Sequence, residues 1–240
     1  MRVAALIVIA GCGSPATSSI DAVMPDDRII VEPDAKLAPA FSDDFEAATL
    51  DPRWMVLDAT NVDAVYQGGQ LTLIPHANAL WYNGSRGGLV YQFIPGDFTV
   101  STTVHVHKHT TAGPPDQPIE LGGLMARAQG GASENYALIV VGFGEQGHLA
   151  VEHKSTTDST SVFDESPYTA DAELRLCRNG ATIEVGYRAI GAQTWTDFMT
   201  WSRPDFPNTL EVGMIAYDGE SNPDVAASFD QFTYASGGCP

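Results

Sequence analysis

Asp97-Phe98-Thr99-Val100-Ser101-Thr102-Thr103-Val104-His105-Val106-His107-Lys108-His109 decides the fold class, because apolar and polar side chains alternate along it. Phe98, Val100, Thr102, Val104 and Val106 share one face; Thr99, Ser101, Thr103, His105, His107 and His109 share the other. A period of two is that of a strand with one face against a core. Working outward, Leu174-Arg175-Leu176-Cys177-Arg178 and Ala181-Thr182-Ile183-Glu184-Val185 flank Asn179-Gly180, a dipeptide that tolerates positive φ and predicts a hairpin. A two-residue loop there sets Leu176 opposite Ile183, Leu174 opposite Val185 and Arg175 opposite Glu184. Two further hairpins are predicted, over 66–74 turning at Gly68-Gly69 and over 136–154 turning through 144–147. Leu210, Val212, Met214 and Ala216 alternate, as does the segment around Phe229. After Ala40 no helical period lasts ten residues, so the expectation is an all-β, antiparallel sandwich or barrel.

The N-terminus has a different texture. Met1-Arg2 precedes the apolar run from Val3 to Ala10, too short for the ~20 residues of a membrane-spanning helix but laid out like a secretory signal. Ile9-Ala10-Gly11-Cys12 resembles the lipobox of bacterial lipoproteins. The resemblance implies that 1–11 is a signal peptide and that Cys12 is diacylated, so that the exported protein meets the membrane through lipid alone. An ordinary secreted protein cut near the same place is the alternative. Gly13 is not the aspartate that marks inner-membrane retention, which favours the outer membrane in a Gram-negative host. Residues 12–40, with Pro15, Pro25, Pro33 and Pro39, read as a tether, and 41–240 as one domain. With Cys12 lipidated, Cys177 and Cys239 remain, and in an oxidising compartment they can form a disulfide.

The chain carries 12 Lys+Arg and 30 Asp+Glu, a formal net charge of −18. Loss of the leader removes Arg2 and no acid, which leaves 11 against 30 and a charge of −19. Such a chain repels nucleic acid, whose binding needs phosphates neutralised by Lys and Arg, and it does not favour anionic lipid headgroups.

From Phe41 onward, short segments follow one another in a telling order: Phe41-Ser42-Asp43-Asp44-Phe45, Leu50-Asp51-Pro52-Arg53-Trp54, Gly69-Gln70-Leu71-Thr72-Leu73, Gly96-Asp97-Phe98-Thr99-Val100, Gly122-Gly123-Leu124-Met125-Ala126-Arg127, Asn135-Tyr136, Thr194-Trp195-Thr196, Val212-Gly213-Met214 and Phe229-Asp230-Gln231-Phe232. This order resembles the concanavalin A-like lectin/glucanase jelly rolls, especially bacterial domains associated with glycoside hydrolases. The resemblance implies two antiparallel sheets packed face to face, with the first and last strands adjacent. It also implies a structural calcium where those strands meet, for which Asp43, Asp44 and Asp230 are the candidate ligands; hard carboxylate oxygens suit that ion. Trp54, Trp195, Phe98, Phe229 and Phe232 are expected in the core.

Retaining glycosidases need two carboxylates about 5 Å apart. The Glu-x-Asp-x-x-Glu run of laminarinase-like members has no counterpart: Glu32-Pro33-Asp34 has the first spacing but lies in the tether. The Arg-x-Glu-x-Arg and Gln-Ile-His signatures of alginate lyases with this fold are absent too. Asp164-Glu165 and Asp171/Glu173 are expected in solvent. His105, His107 and His109 share a strand face, but the first and third stand about 13 Å apart at ~3.3 Å per residue, so one ion cannot use all three. A His105–His107 pair needs a ligand from elsewhere, Glu152 being one option. Sugar binding needs rings to stack on C–H faces and polar groups to bond hydroxyls. Strand parity turns His105, His107, Arg127 and Glu152 away from the core, and Trp81, Tyr82 and Tyr136 supply rings. These seven form the expected ligand site of a carbohydrate-binding sandwich without catalysis. The rivals are an adhesive or structural domain and an enzyme with an unfamiliar site.

Overall fold

The computed structural model describes residues 41–240, so the leader, Cys12 and the tether lie outside the described residues. Fourteen strands form two seven-stranded antiparallel sheets, with no helix among the described residues. In chain order they are β1 (Met55–Leu57), β2 (Val62–Tyr66), β3 (Leu71–Pro75), β4 (Gly88–Pro95), β5 (Phe98–His107), β6 (Glu120–Arg127) and β7 (Tyr136–Phe143). There follow β8 (Leu149–Thr157), β9 (Thr160–Pro167), β10 (Asp171–Asn179), β11 (Thr182–Arg188), β12 (Thr196–Ser202), β13 (Thr209–Tyr217) and β14 (Ala226–Ser236). Sheet A has the order β12-β11-β10-β5-β14-β3-β2 and sheet B the order β1-β4-β13-β6-β7-β8-β9. This is an antiparallel β-sandwich of the jelly-roll kind, as the alternation predicts.

The parity of β5 is as read: Phe98, Val100, Val104 and Val106 join the main core between the sheets, while His105 and His107 face outward and are half-buried. Phe229 and Phe232 on β14 and Trp54 before β1 complete that core. The first described residues meet the last strand, since Asp43 and Phe232 exchange backbone hydrogen bonds of 2.9 and 2.8 Å. Trp195 corrects one expectation. It lies outside the core, half-buried, with the guanidinium groups of Arg188 and Arg175 4.2 and 5.1 Å from its ring.

The β10–β11 hairpin forms, but its turn is Gly180-Ala181 and its register is Leu176↔Val185 and Leu174↔Tyr187. Gly180 adopts φ +59 and donates its N–H to Asp97 Oδ1, which draws Asn179 into the strand opposite Thr182. A shift of two keeps every side chain on its predicted face. Arg175 therefore still meets Glu184, now diagonally at 2.9 Å, and also Asp197 at 2.7 Å. Cys177 and Cys239 are disulfide-bonded with Cα atoms 5.3 Å apart, which ties the C-terminus to β10.

Candidate functional site

The outward faces of the two sheets differ in kind. On sheet A the outer face is polar: Arg175 pairs with Glu184 and Asp197, Arg188 with Glu173, and His105 with Asp171 and Asp230. On sheet B it carries a second apolar cluster, with Leu89 and Tyr91 of β4, Met125 of β6, Tyr136, Leu138 and Val140 of β7, and Ile215 and Tyr217 of β13. The connection between β3 and β4 lies across this face and puts Trp81 into the cluster at 0 % exposure.

Several contacts hold that connection down. The Trp81 indole N–H donates to Gly88 O at 3.3 Å, and its ring meets Tyr136 edge-on at 5.5 Å. Lys154 Nζ donates to Trp81 O at 3.1 Å. Asn83 exchanges two hydrogen bonds with Ser161 of β9, and Arg86 pairs with Glu134. Gly87 is required here, because a Cβ would stand 2.7 Å from the Trp81 indole nitrogen and 2.9 Å from Ala79 O.

Four predicted ligand residues thus lie on the outward side of sheet B and are nevertheless buried: Trp81, Arg127, Tyr136 and Glu152. Arg127 donates to Glu134 at 2.7 Å and also to Glu211, so its guanidinium is committed. Burial disfavours that charge, but the two carboxylates outweigh it and hold Arg127 above its ordinary range. The reciprocal effect lowers Glu134: burial pushes it up, and Arg127 and Arg86 bring it down further. Glu152 lies 3.1 Å from Lys154 Nζ and accepts the Tyr217 hydroxyl at 3.0 Å. Burial pushes its carboxyl up despite Lys154.

His105 and His107 stand apart from these four, on the outer face of sheet A. His105 reaches Asp171 at 3.0 Å and Asp230 at 3.4 Å, and His107 meets Lys108 O and Ser228 Oγ. Glu152 belongs to the other sheet, so the His105–His107–Glu152 metal set does not assemble.

Asp43, Asp44 and Asp230, the candidate calcium ligands, turn their carboxylates to separate partners. Asp43 Oδ1 accepts from Phe45 N and Oδ2 from the Trp54 indole at 2.8 Å, while Asp44 accepts from Glu46 N. Asp230 sits at a bulge in β14 and turns to Gln70 and His105. Among the described residues these three do not converge as oxygens within 4.8 Å of one another. Cys177, Glu184 and Cys239 do, but both sulfurs are in the disulfide. Glu165 is likewise not in solvent: its side chain is buried and accepts the N–H groups of Glu145 and Gln146, each at 2.9 Å.

Of the predicted rings, that of Tyr82 is exposed to solvent. It is 39 % exposed and lines a cleft of about 250 Å³ over sheet B with Leu80, Ile119, Glu145 and Lys154. Lys154 Nζ lies 5.5 Å from the Tyr82 ring centre and 3.7 Å from Glu145 Oε1, so a ring and a carboxylate meet at the opening above a buried ammonium. Sequence reading passed over Lys154, although it shares the parity of Glu152 two residues earlier. Glu145 and Ile119 lie in connections and carry no periodic signal.

No protein-family model matches the chain, and no curated protein matches it. Solved structures share its fold. A functionally unknown protein from Saccharomyces cerevisiae is similar over 76 % of this chain and 96 % of its own, with 16 % identity and a TM-score of 0.62. The xylan beta-1,4-xylosidase of Bacillus halodurans is similar at 18 % identity and a TM-score of 0.62 over 80 % of this chain, which spans 38 % of the xylosidase. Lectin I of Ulex europaeus, solved with the methyl glycoside of α-L-fucose, is similar at 11 % identity and a TM-score of 0.54 over 81 % of this chain and 95 % of its own. At these identities the likeness is one of fold.

Proposed function

We propose that this protein is an exported, lipid-anchored β-sandwich that binds carbohydrate without cleaving it. The observation that carries the reading is the cleft over sheet B, where the exposed Tyr82 ring stands beside Lys154 and Glu145. A phenol ring covers the C–H face of a sugar, while the part-exposed Glu145 carboxylate, which Lys154 holds at the cleft, bonds its hydroxyls. The cleft's volume, about 250 Å³, falls just below that of drug-sized pockets and suits a single sugar ring. The same fold in a lectin solved with a fucoside and in a xylosidase supports a glycan ligand.

Binding without cleavage is supported by the state of the nearby acids. Glu152 is paired with Lys154, and Glu134 and Glu211 with Arg127. A retaining hydrolase instead presents two carboxylates to one bond, about 5–5.5 Å apart. Anchoring rests on Ile9-Ala10-Gly11-Cys12, and Cys12→Ala is expected to release the protein from the membrane fraction.

A glycan array probed with the purified protein and with Tyr82→Ala tests the site. The expected result is a glycan bound by the first and lost by the second. Binding to no glycan, or binding untouched by the substitution, contradicts it.

One observation favours a second reading, a protein-binding domain. Val162 on the edge strand β9 is 70 % exposed, beside a groove of about 440 Å³ lined by Trp201, Arg203 and four hydroxyl side chains. An edge strand with an exposed apolar residue is a place where a partner strand can pair.

A further inference from the structure

Glu120 opens β6 and Asp218 directly follows β13, and these two strands are neighbours in sheet B. Their last paired residues at this end are Leu121 and Tyr217, so Glu120 and Asp218 leave the two strands side by side. Residues directly opposite in an antiparallel pair have Cβ atoms about 4.5–5.5 Å apart, and like charges there repel. Both acids are shut away from solvent, with 1 % and 0 % exposure.

Each carboxylate is half satisfied. Glu120 Oε2 accepts the backbone N–H groups of Asp116 and Gln117, both at 3.0 Å, and Asp218 Oδ1 accepts that of Glu220. Glu120 Oε1 and Asp218 Oδ2 are buried and have no hydrogen bond of ordinary geometry, although the Asp224 N–H also approaches the Glu120 carboxylate. Lys108, close enough to feel the charge of Glu120, places its ammonium on Asp116. Buried carboxylate oxygens without a donor are costly and rare in folded proteins, and a matching positive charge removes the cost.

We propose that Glu120 Oε1 and Asp218 Oδ2 are ligands of a calcium ion at this end of sheet B. The backbone donors on the other two oxygens hold the carboxylates in place, as ligand positioning requires. Oxygen-only ligands suit a hard cation, and the absence of imidazole or thiolate at the pair disfavours zinc. Calcium takes six to eight oxygens in flexible geometry, so beyond the two carboxylates the shell needs further oxygens, from backbone or water. The site is distinct from Asp43, Asp44 and Asp230 and does not depend on the sugar-binding reading.

The test uses the purified protein stripped with EDTA. Equilibrium dialysis against calcium is expected to give one bound ion per chain, retained under excess magnesium. Calcium is expected to raise the melting temperature by several degrees, because it binds the folded chain and not the unfolded one. Glu120→Gln and Asp218→Asn keep side-chain shape and are expected to abolish that shift, whereas Asp43→Asn leaves it intact. Absence of bound calcium in the unsubstituted protein overturns the proposal, whether or not the variants fold. So does a calcium shift that survives Asp218→Asn. If the two carboxylates instead share a proton, dialysis finds no ion and acidification alone stabilises the stripped protein, which also overturns it.

Discussion

Lys154 Nζ lies 3.1 Å from Glu152 Oε1, and both side chains are sealed from water, at 1 % and 0 % exposure. They are successive outward-facing residues of one strand, under the Trp81 backbone and against the Tyr217 hydroxyl. Breaking a buried pair by removing one partner typically costs about 3–5 kcal/mol, because the other charge is stranded. Lys154→Met is therefore expected to lower the unfolding free energy by about that amount in urea titrations. The double variant Lys154→Met/Glu152→Gln should recover much of the loss. Equal stability of the single and double variants would show that the pair is not coupled.

Trp81 fills the second apolar cluster rather than a binding surface. Truncation of a buried tryptophan costs about 3–5 kcal/mol and leaves a cavity. Trp81→Ala should lower stability by that amount and uncover the apolar face of sheet B, detectable as binding of a hydrophobic dye. A variant as stable as the parent would mean that the ring does not pack against Tyr136.

The same residue marks how far the sequence could be read. Alternation along β5 assigned every side chain to its correct face, because one face meets a core and the other water. Parity also placed Arg127 and Glu152 on the outer side of sheet B. It could not show that this side is roofed, since the roof is an aperiodic connection held by Lys154, Ser161 and Glu134, all distant in sequence. The hairpin register slipped by two for a similar reason: Asp97, far away in sequence, captures the Gly180 N–H and moves the turn. The disulfide was legible from compartment and count, whereas the half-satisfied acids Glu120 and Asp218 emerge only when strand ends are aligned.

His153 is a pH-sensitive point in the fold. It is 4 % exposed between Phe198 and Trp201, with ring centres 4.6 and 5.4 Å away, and its Nδ1 has no partner. Burial holds its pKa below the usual 6.5. The folded state thus takes up this proton less readily than the unfolded chain. The contribution is fully present above about pH 6.5 and is lost as pH falls below it. Urea midpoints at about pH 7.5 and about pH 5.5 should differ more for the parent than for His153→Phe. Equal differences would show that His153 does not titrate on unfolding.

The Cys177–Cys239 bond closes a loop with a sequence separation of 62. Cross-links of this kind typically stabilise by about 2–4 kcal/mol. Reduction, or Cys239→Ser, should lower stability by that amount and let proteases trim the chain end beyond β14. A reduced protein that melts with the oxidised one would contradict the assignment.

Titration calorimetry with an array-selected glycan tests the central claim most directly, using the parent, Tyr82→Ala and His105→Ala. Binding at the sheet B cleft predicts a loss of at least tenfold in affinity for Tyr82→Ala, about 1.4 kcal/mol, and an unchanged constant for His105→Ala. An unchanged constant for Tyr82→Ala, or loss of binding in His105→Ala, would place the ligand elsewhere and refute the account.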